Sequence, residues 1–154
     1  MKFLKLDKND IYEHQQNREP YLMIDAATEV LPGLSANGYK DFKKDEWFFK
    51  VHWKNDPNVP GMLQIESLVQ MAALSILCLP GNKGKVVYLT SANNLKFQKK
   101  ILPNTRLSIK TKTKSFKRGI AICSGEGFVE NSIACKAEFN LILPSELKKY
   151  NINN

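Results

Sequence analysis

His52 and Glu66 are the side chains of this 154-residue chain whose types and spacing fit proton chemistry at carbon. Histidine titrates near neutral pH and can take a proton from carbon. A glutamate among apolar neighbours has its carboxyl pKa raised and can hold a proton to give. Between the two runs Trp53-Lys54-Asn55-Asp56-Pro57-Asn58-Val59-Pro60-Gly61. Two prolines stiffen this loop, and Gly61 opens a long apolar run. The first N–H groups of a helix have no internal partners, so they can receive a developing oxyanion. Base, oxyanion donors and acid therefore fall in one short stretch of chain.

The elements around that stretch must position it. Residues 62–79 read as a helix buried nearly all round, stopped by Pro80-Gly81. Gln64, Glu66 and Gln70 interrupt the run, which makes it a core helix and not a membrane span. Glu66 shares a helical stripe with Met62, Val69, Gln70, Ala73 and Leu77. A negative charge near a helix N-terminus gains about 0.3–1 kcal/mol. A carboxylate on an apolar stripe costs more than that unless it is paired or protonated. A purely structural Glu66 is thus the weaker explanation. Gln70, one turn on, either orients Glu66 or faces solvent, and the spacing leaves both open. His14 lies in an amphipathic lead-in without such a frame and reads as a surface residue.

The rest of the chain reads as one domain over residues 1–154. A lead-in, 1–19, contains a helix at 9–16 capped by Asn9 or Asp10. Residues 23–31 read as a strand closed by Pro32-Gly33, with 36–43 as hairpin partner and 46–51 extended. Strands follow at 86–92, 106–114, 120–129 and 133–143, with hairpin turns at 117–119 and 130–132. In 106–114 the residues alternate: Leu107, Ile109, Thr111 and Thr113 on one face, Arg106 and the lysines on the other. A polar, frayed tail follows from 144 to 154. One buried helix followed by antiparallel strands gives the α+β class.

The stretch from His52 to Glu66 resembles the active-site motif of the bacterial 3-hydroxyacyl-acyl-carrier-protein dehydratases, the hotdog-fold enzymes of fatty-acid synthesis. Their pattern is roughly Gly-His-Phe-x-x-x-Pro-x-x-Pro-Gly-x-Leu-x-x-Glu/Asp. His52, Pro57, Pro60, Gly61, Leu63 and Glu66 fill that frame, and Ser67-Leu68-Val69-Gln70 continues it. Tyr21 to Asp25 and Lys96 to Pro103 are similar to further segments of the family, so the resemblance spans residues 20–143. There are departures. Val51 stands where the family has glycine, Lys54-Asn55 where Pro-Gly is common, and Asn104-Thr105 where Gly-Asp is usual. Leu102-Pro103 leans towards the dehydratase–isomerase branch and Glu66 away from it. The chain reads as a divergent member, serving fatty-acid or specialised acyl-chain synthesis.

The resemblance implies an antiparallel sheet wrapped around one long helix. It implies that His52 removes the C2 proton and that Glu66 protonates the C3 hydroxyl as it leaves. Gly61 and Met62 would hold the thioester oxygen, the Asn58 carbonyl would orient His52, and Gln70 would complete the substrate site. No metal or other cofactor is implied. The product would be the trans-2-enoyl thioester, without isomerisation. The implied partner is acyl carrier protein, docking on Lys96, Lys99, Lys100 and Arg106. The implied assembly is a homodimer with sites across its interface, with a trimer of dimers as a further arrangement. Two rivals stand beside this reading. One is a hotdog thioesterase, which needs a carboxylate and water but no C2 base. The other is a non-catalytic acyl-binding module, made conceivable by Val51 and Asn104.

Composition narrows the classes. The chain is 43% hydrophobic and 25% charged, as a globular domain is, with a net charge of +8 that favours an acidic partner. No nucleic-acid motif or aromatic stacking platform accompanies Lys110, Lys112, Lys114, Lys117 and Arg118, so nucleic acid is not the expected partner. The three cysteines, Cys78, Cys123 and Cys135, show neither metal spacing nor a disulfide framework. They read as core residues in a reducing cytoplasm. The first ten residues hold too short an apolar run for a signal peptide.

Overall fold

The run after Pro60 forms a helix, Gly61–Leu77, and every residue from Ser67 to Leu77 is buried. A helix apolar round most of its circumference needs a cover on several sides. The computed structural model, which describes residues 2–150, shows what supplies it. In chain order the elements are β1 (Leu4–Leu6), α1 (Lys8–His14), β2 (Ala26–Leu31), β3 (Ser35–Phe42), α2 (Trp47–Val51), α3 (Gly61–Leu77), β4 (Tyr88–Phe97), β5 (Thr105–Lys117), β6 (Ile120–Val129), β7 (Ser132–Ile142) and α4 (Pro144–Leu147). The strands make one antiparallel sheet in the order β1-β2-β3-β5-β6-β7-β4. Helix α3 packs against β2, β3, β5, β6 and β7. This is the expected hotdog fold.

The sheet grips the helix by small local devices. In β5, Leu107, Ile109, Thr111 and Thr113 are buried and the residues between them are exposed, as the alternation requires. The buried hydroxyls are satisfied: Thr111 donates to the Ala36 carbonyl at 2.7 Å, and Ser75 and Thr113 lie 2.8 Å apart. Gly38 sits where α3 crosses β3. A Cβ there would stand 2.6 Å from the Met71 methyl and 2.0 Å from the Ala26 carbonyl oxygen, so only glycine fits. Arg118-Gly119 and Glu130-Asn131 all have positive φ. They form two-residue hairpin turns whose twist matches the sheet.

Several expectations need correction. Residues 46–51 are not extended, because Trp47–Val51 is the short helix α2. Phe48 and Phe49 are both buried, which a strand with alternating faces would not allow. One helical turn turns both inward, with Phe48 edge-on to Phe42 at 5.9 Å between ring centroids. Helix α1 begins earlier than expected, capped by Asp7 in a reciprocal box with Asp10. The lead-in also holds the strand β1, which pairs with β2. Strand β4 runs on to Phe97, through a register shift and a positive-φ Asn94. The tail starts with a helical turn, Pro144–Leu147, and residues 151–154 lie outside the described residues. His14 is half-buried, its Nδ1 2.7 Å from the Asp10 carbonyl oxygen.

Cys123 and Cys135 are buried and Cys78 half-buried, all as free thiols. Burial pushes Cys78 up to about 11 and Cys135 up to about 12, so these thiols stay protonated and pack as apolar groups. Among the described residues no helix is long and apolar enough to cross a membrane.

Candidate active site

His52 is the C-cap of α2, and its N–H donates to the Phe48 carbonyl at 2.9 Å. The buried pair Phe48 and Phe49 thus fixes the backbone from which the imidazole projects. The loop that follows is pinned at its far end. Val59 is fully buried, its N–H donating to the Ile101 carbonyl at 2.9 Å. The loop also folds back on the histidine, bringing the Asn58 carbonyl oxygen to 3.1 Å from His52 Nδ1. A carbonyl can only accept, so Nδ1 carries a proton, and in the neutral ring the lone pair lies on Nε2. The indole N–H of Trp53 points at that Nε2.

Pro60 is the N-cap of α3, and no side chain caps the helix. The first internal bonds come from Leu63 and Gln64 to the Pro60 carbonyl. The N–H groups of Gly61 and Met62 therefore precede the hydrogen-bonded part of the helix and are open to an acceptor. Gln64 ties loop to helix by donating to the Val59 carbonyl at 3.0 Å. A Cβ at Gly61 would stand 2.9 Å from the Phe97 ring. The glycine therefore keeps the helix start clear under that aromatic residue. Gly61 lines a hollow of about 390 Å³ with Asn58, Gln64, Phe97, Lys99 and Lys100.

Glu66 lies half-buried one turn further along α3, and burial pushes its carboxyl above the usual glutamate range. Gln70 opposes that rise by donating to Glu66 Oε1 at 2.8 Å. The same Gln70 nitrogen donates to the Tyr21 carbonyl at 2.9 Å, and its oxygen accepts from the Met23 N–H at 2.8 Å. Of the two readings left open for Gln70, the solvent-facing one is excluded, since the side chain is buried. Tyr21 is raised too, first by burial and then by the Glu66 charge. Glu66 opens on a separate hollow of about 360 Å³, walled by Val69, Ala73 and Leu77 on α3 and by β4. His52 lines neither hollow.

The four basic candidates do not form one cluster. Lys99 and Lys100 flank the Gly61 hollow, and Lys100 also pairs with Asp56 of the His52 loop at 2.6 Å. Arg106 is engaged elsewhere, bidentate to Asp41 at 2.7 and 2.8 Å and stacked 3.7 Å over the Tyr39 ring. Lys96 lines a different hollow, with Lys114 and Lys136. Met62 is exposed beside Gly61. Sequence reasoning passed over Trp53 and Tyr21. The indole was visible as the residue after the histidine, whereas nothing local marked Tyr21 as a neighbour of Glu66. Among the described residues no group of three His, Cys, Asp or Glu is placed to hold a metal ion.

The FabA-like domain family matches residues 16–138, which include the whole of this site. A curated relative in Clostridium botulinum (strain Okra / Type B1) is 34% identical over 138 residues, covering 90% of this chain and 96% of its own. The chain belongs to the FabA-like family. That relative is named a 3-hydroxyacyl-[acyl-carrier-protein] dehydratase, FabZ, as is one in Clostridium novyi (strain NT) that is 35% identical over 136 residues and covered to 96% of its length. Among solved structures, the dehydratase heterocomplex ApeI:P from Xenorhabdus doucetiae superposes with a TM-score of 0.76 at 13% identity, over 94% of this chain and 97% of that one. A hypothetical thioesterase with coenzyme A from Streptococcus pneumoniae superposes at 0.58 and 13% identity, over 76% and 86%. At such identities these structures show that the fold of this FabA-like chain is shared, and no more.

Proposed function

We propose that this FabA-like protein dehydrates 3-hydroxyacyl thioesters carried by acyl carrier protein, giving trans-2-enoyl thioesters for fatty-acid or specialised acyl-chain synthesis. The observation that carries the reading is a pair of complementary proton carriers on one frame. His52 holds Nδ1–H against the Asn58 carbonyl and leaves Nε2 as a base. Glu66 is pushed by burial towards the protonated form that an acid needs. The names of the FabZ relatives support the same assignment.

The steps balance without another reagent. Nε2 of His52 takes the C2 proton, and the N–H groups of Gly61 and Met62 receive the charge that builds on the thioester oxygen. The C2 electron pair forms the C2–C3 double bond as the C3–O bond breaks. Glu66 gives its proton to the departing hydroxyl, which leaves as water. Gln70 keeps the Glu66 carboxyl aimed. Return of the proton from His52 to Glu66 resets the site.

Base and acid do not share a hollow within one chain, and β4 leaves an unpaired edge bearing exposed Tyr88, Leu89 and Phe97. Both features favour a homodimer joined along β4, with His52 of one chain facing Glu66 of the other. Acyl carrier protein would approach the hollow beside Lys99 and Lys100. The chain is read as a single cytoplasmic domain, in keeping with three free thiols.

The test is complementation. His52→Ala and Glu66→Gln homodimers are each expected to lose 10²–10⁴ in rate. Mixed and re-equilibrated at equal amounts, random pairing restores about a quarter of wild-type turnover, because the heterodimer has one intact site. Activity that stays at the mutant background after confirmed exchange refutes the shared site. Near-normal dehydration by either folded variant refutes the roles. Release of free thiol in place of enoyl product would point to the thioesterase reading instead.

A further inference from the structure

The nitrogen that the elimination needs is already occupied. With Nδ1 held 3.1 Å from the Asn58 carbonyl oxygen, the lone pair lies on Nε2, and Trp53 donates its indole N–H there. The two rings meet edge to face, their centroids 5.3 Å apart and their planes at 73°. Both contacts select the same tautomer. Within one chain little else holds the indole, for Trp53 is 59% exposed and starts the loop beyond α2. The dehydratase pattern has phenylalanine at this position, a ring of similar bulk with no N–H to give.

We infer that Trp53 is a positioning residue that latches the base: its indole N–H holds the Nε2 lone pair of His52 until the substrate's C2–H group displaces it. The inference rests on the reading of His52 as the base. It has two physical consequences. In the free enzyme Nε2 is shielded from electrophiles. Productive binding must also break one hydrogen bond, so the apparent affinity falls by the fraction of molecules with the latch open. One neutral hydrogen bond is worth a factor of about two to ten in such an equilibrium.

The chain supplies its own reference for the test, since His14 and His52 are its two histidines. Diethyl pyrocarbonate acylates the lone pair of a neutral imidazole, with ethyl carbonate as leaving group and loss of the ring proton. Peptide mass spectrometry gives the rate at His52 relative to His14 in the full-length protein. Trp53→Phe is expected to raise that ratio about two- to tenfold. The exposed position lets phenylalanine stand there without disturbing the core. The same variant should lower KM for a small 3-hydroxyacyl pantetheine thioester by a similar factor, with the gain in KM and not in kcat. A ratio that is unchanged or lower overturns the latch, and so does a KM that is unchanged or higher. Acylation does not depend on turnover. An active His52→Ala variant would sink the catalytic reading and leave the acylation result standing, so the two failures are distinguishable.

Discussion

Replacing Gln70 by leucine separates orientation of the acid from its presence. The amide makes three hydrogen bonds, to Glu66, to the Tyr21 carbonyl and from the Met23 N–H. Leucine fills most of the space, so the cavity contribution is small. The Met23 N–H is buried and would be left without an acceptor, at a cost of about 1–3 kcal/mol. The Tyr21 carbonyl and the Glu66 carboxyl lie nearer solvent and can recover water. For a domain of this size about 1–3 kcal/mol lowers Tm by roughly 2–12 °C. The catalytic effect should be larger. A displacement of about 1 Å in a reacting group can cost about 10²-fold, so kcat should fall roughly 10- to 100-fold with Glu66 still in place. The Gln70 hydrogen bond lowers the Glu66 pKa against the rise from burial. Without it burial acts unopposed, Glu66 keeps its proton to higher pH, and the descending alkaline limb of the rate profile moves up. Turnover is read from the absorbance of the conjugated enoyl thioester across pH, and folding from the circular-dichroism melt. A folded Gln70→Leu variant with kcat within about threefold of wild type and an unmoved alkaline limb would refute the positioning of the acid by Gln70.

Glu66→Gln should be dead yet not destabilised. The folded-state pKa of Glu66 lies above its ordinary value, so its contribution to stability is greatest at low pH and declines as pH rises from the ordinary glutamate range through the raised value. The Tm difference between Glu66→Gln and wild type should therefore grow in favour of glutamine from pH 4 to pH 8, and a trend of opposite sign in scanning calorimetry would contradict the buried-acid reading. Gly61→Ala keeps the N–H but drives a methyl to 2.9 Å from the Phe97 ring. Its kcat/KM should drop about 10- to 100-fold, on the scale of a damaged oxyanion site, and near-normal rates would show that the thioester lies elsewhere. Reversing Lys99 and Lys100 to glutamate should raise KM for carrier-borne substrate and spare small thioesters, an effect that fades as salt shortens the Debye length from ~10 Å at 0.1 M to ~3 Å at 1 M. Equal losses on both substrates would rule out docking there.

What the sequence disclosed was local. His52, the two prolines, Gly61 and Glu66 lie in one continuous stretch, so the motif was legible, although the loop between them is pinned from a distance by the Val59 N–H to the Ile101 carbonyl. The buried helix and the alternation in β5 were legible for the same reason, because their periods are carried by near neighbours. Gln70 was ambiguous because its decisive partners, Tyr21 and Met23, are nearly fifty residues away in the chain. Strand α-versus-β character failed at Trp47–Val51, where consecutive aromatic residues fit either state until the core position of both Phe48 and Phe49 is known. The end of strand β4 was not legible because it continues through a register shift after Asn93 and a positive-φ Asn94, where the sequence carries no alternation. The basic residues looked like one patch because sequence proximity conceals that Lys96 lies on β4, Lys99 and Lys100 in the connection that follows, and Arg106 on β5, which β6 and β7 separate from β4 in the sheet.

The order of the elements along the chain sets a problem for synthesis. Helix α3 is complete at Leu77, but β5, β6 and β7, which cover much of it, are not finished until Ile142. Strand β4 follows the helix directly and must wait for β7, its neighbour in the sheet. At about 5–20 residues per second, a ribosome leaves the apolar helix without those strands for several seconds. Collapse of the nascent chain is therefore expected to be late and nearly all at once, when the last hairpin arrives. Truncation before β7 should yield a chaperone client with an uncovered helix, and not a smaller stable protein.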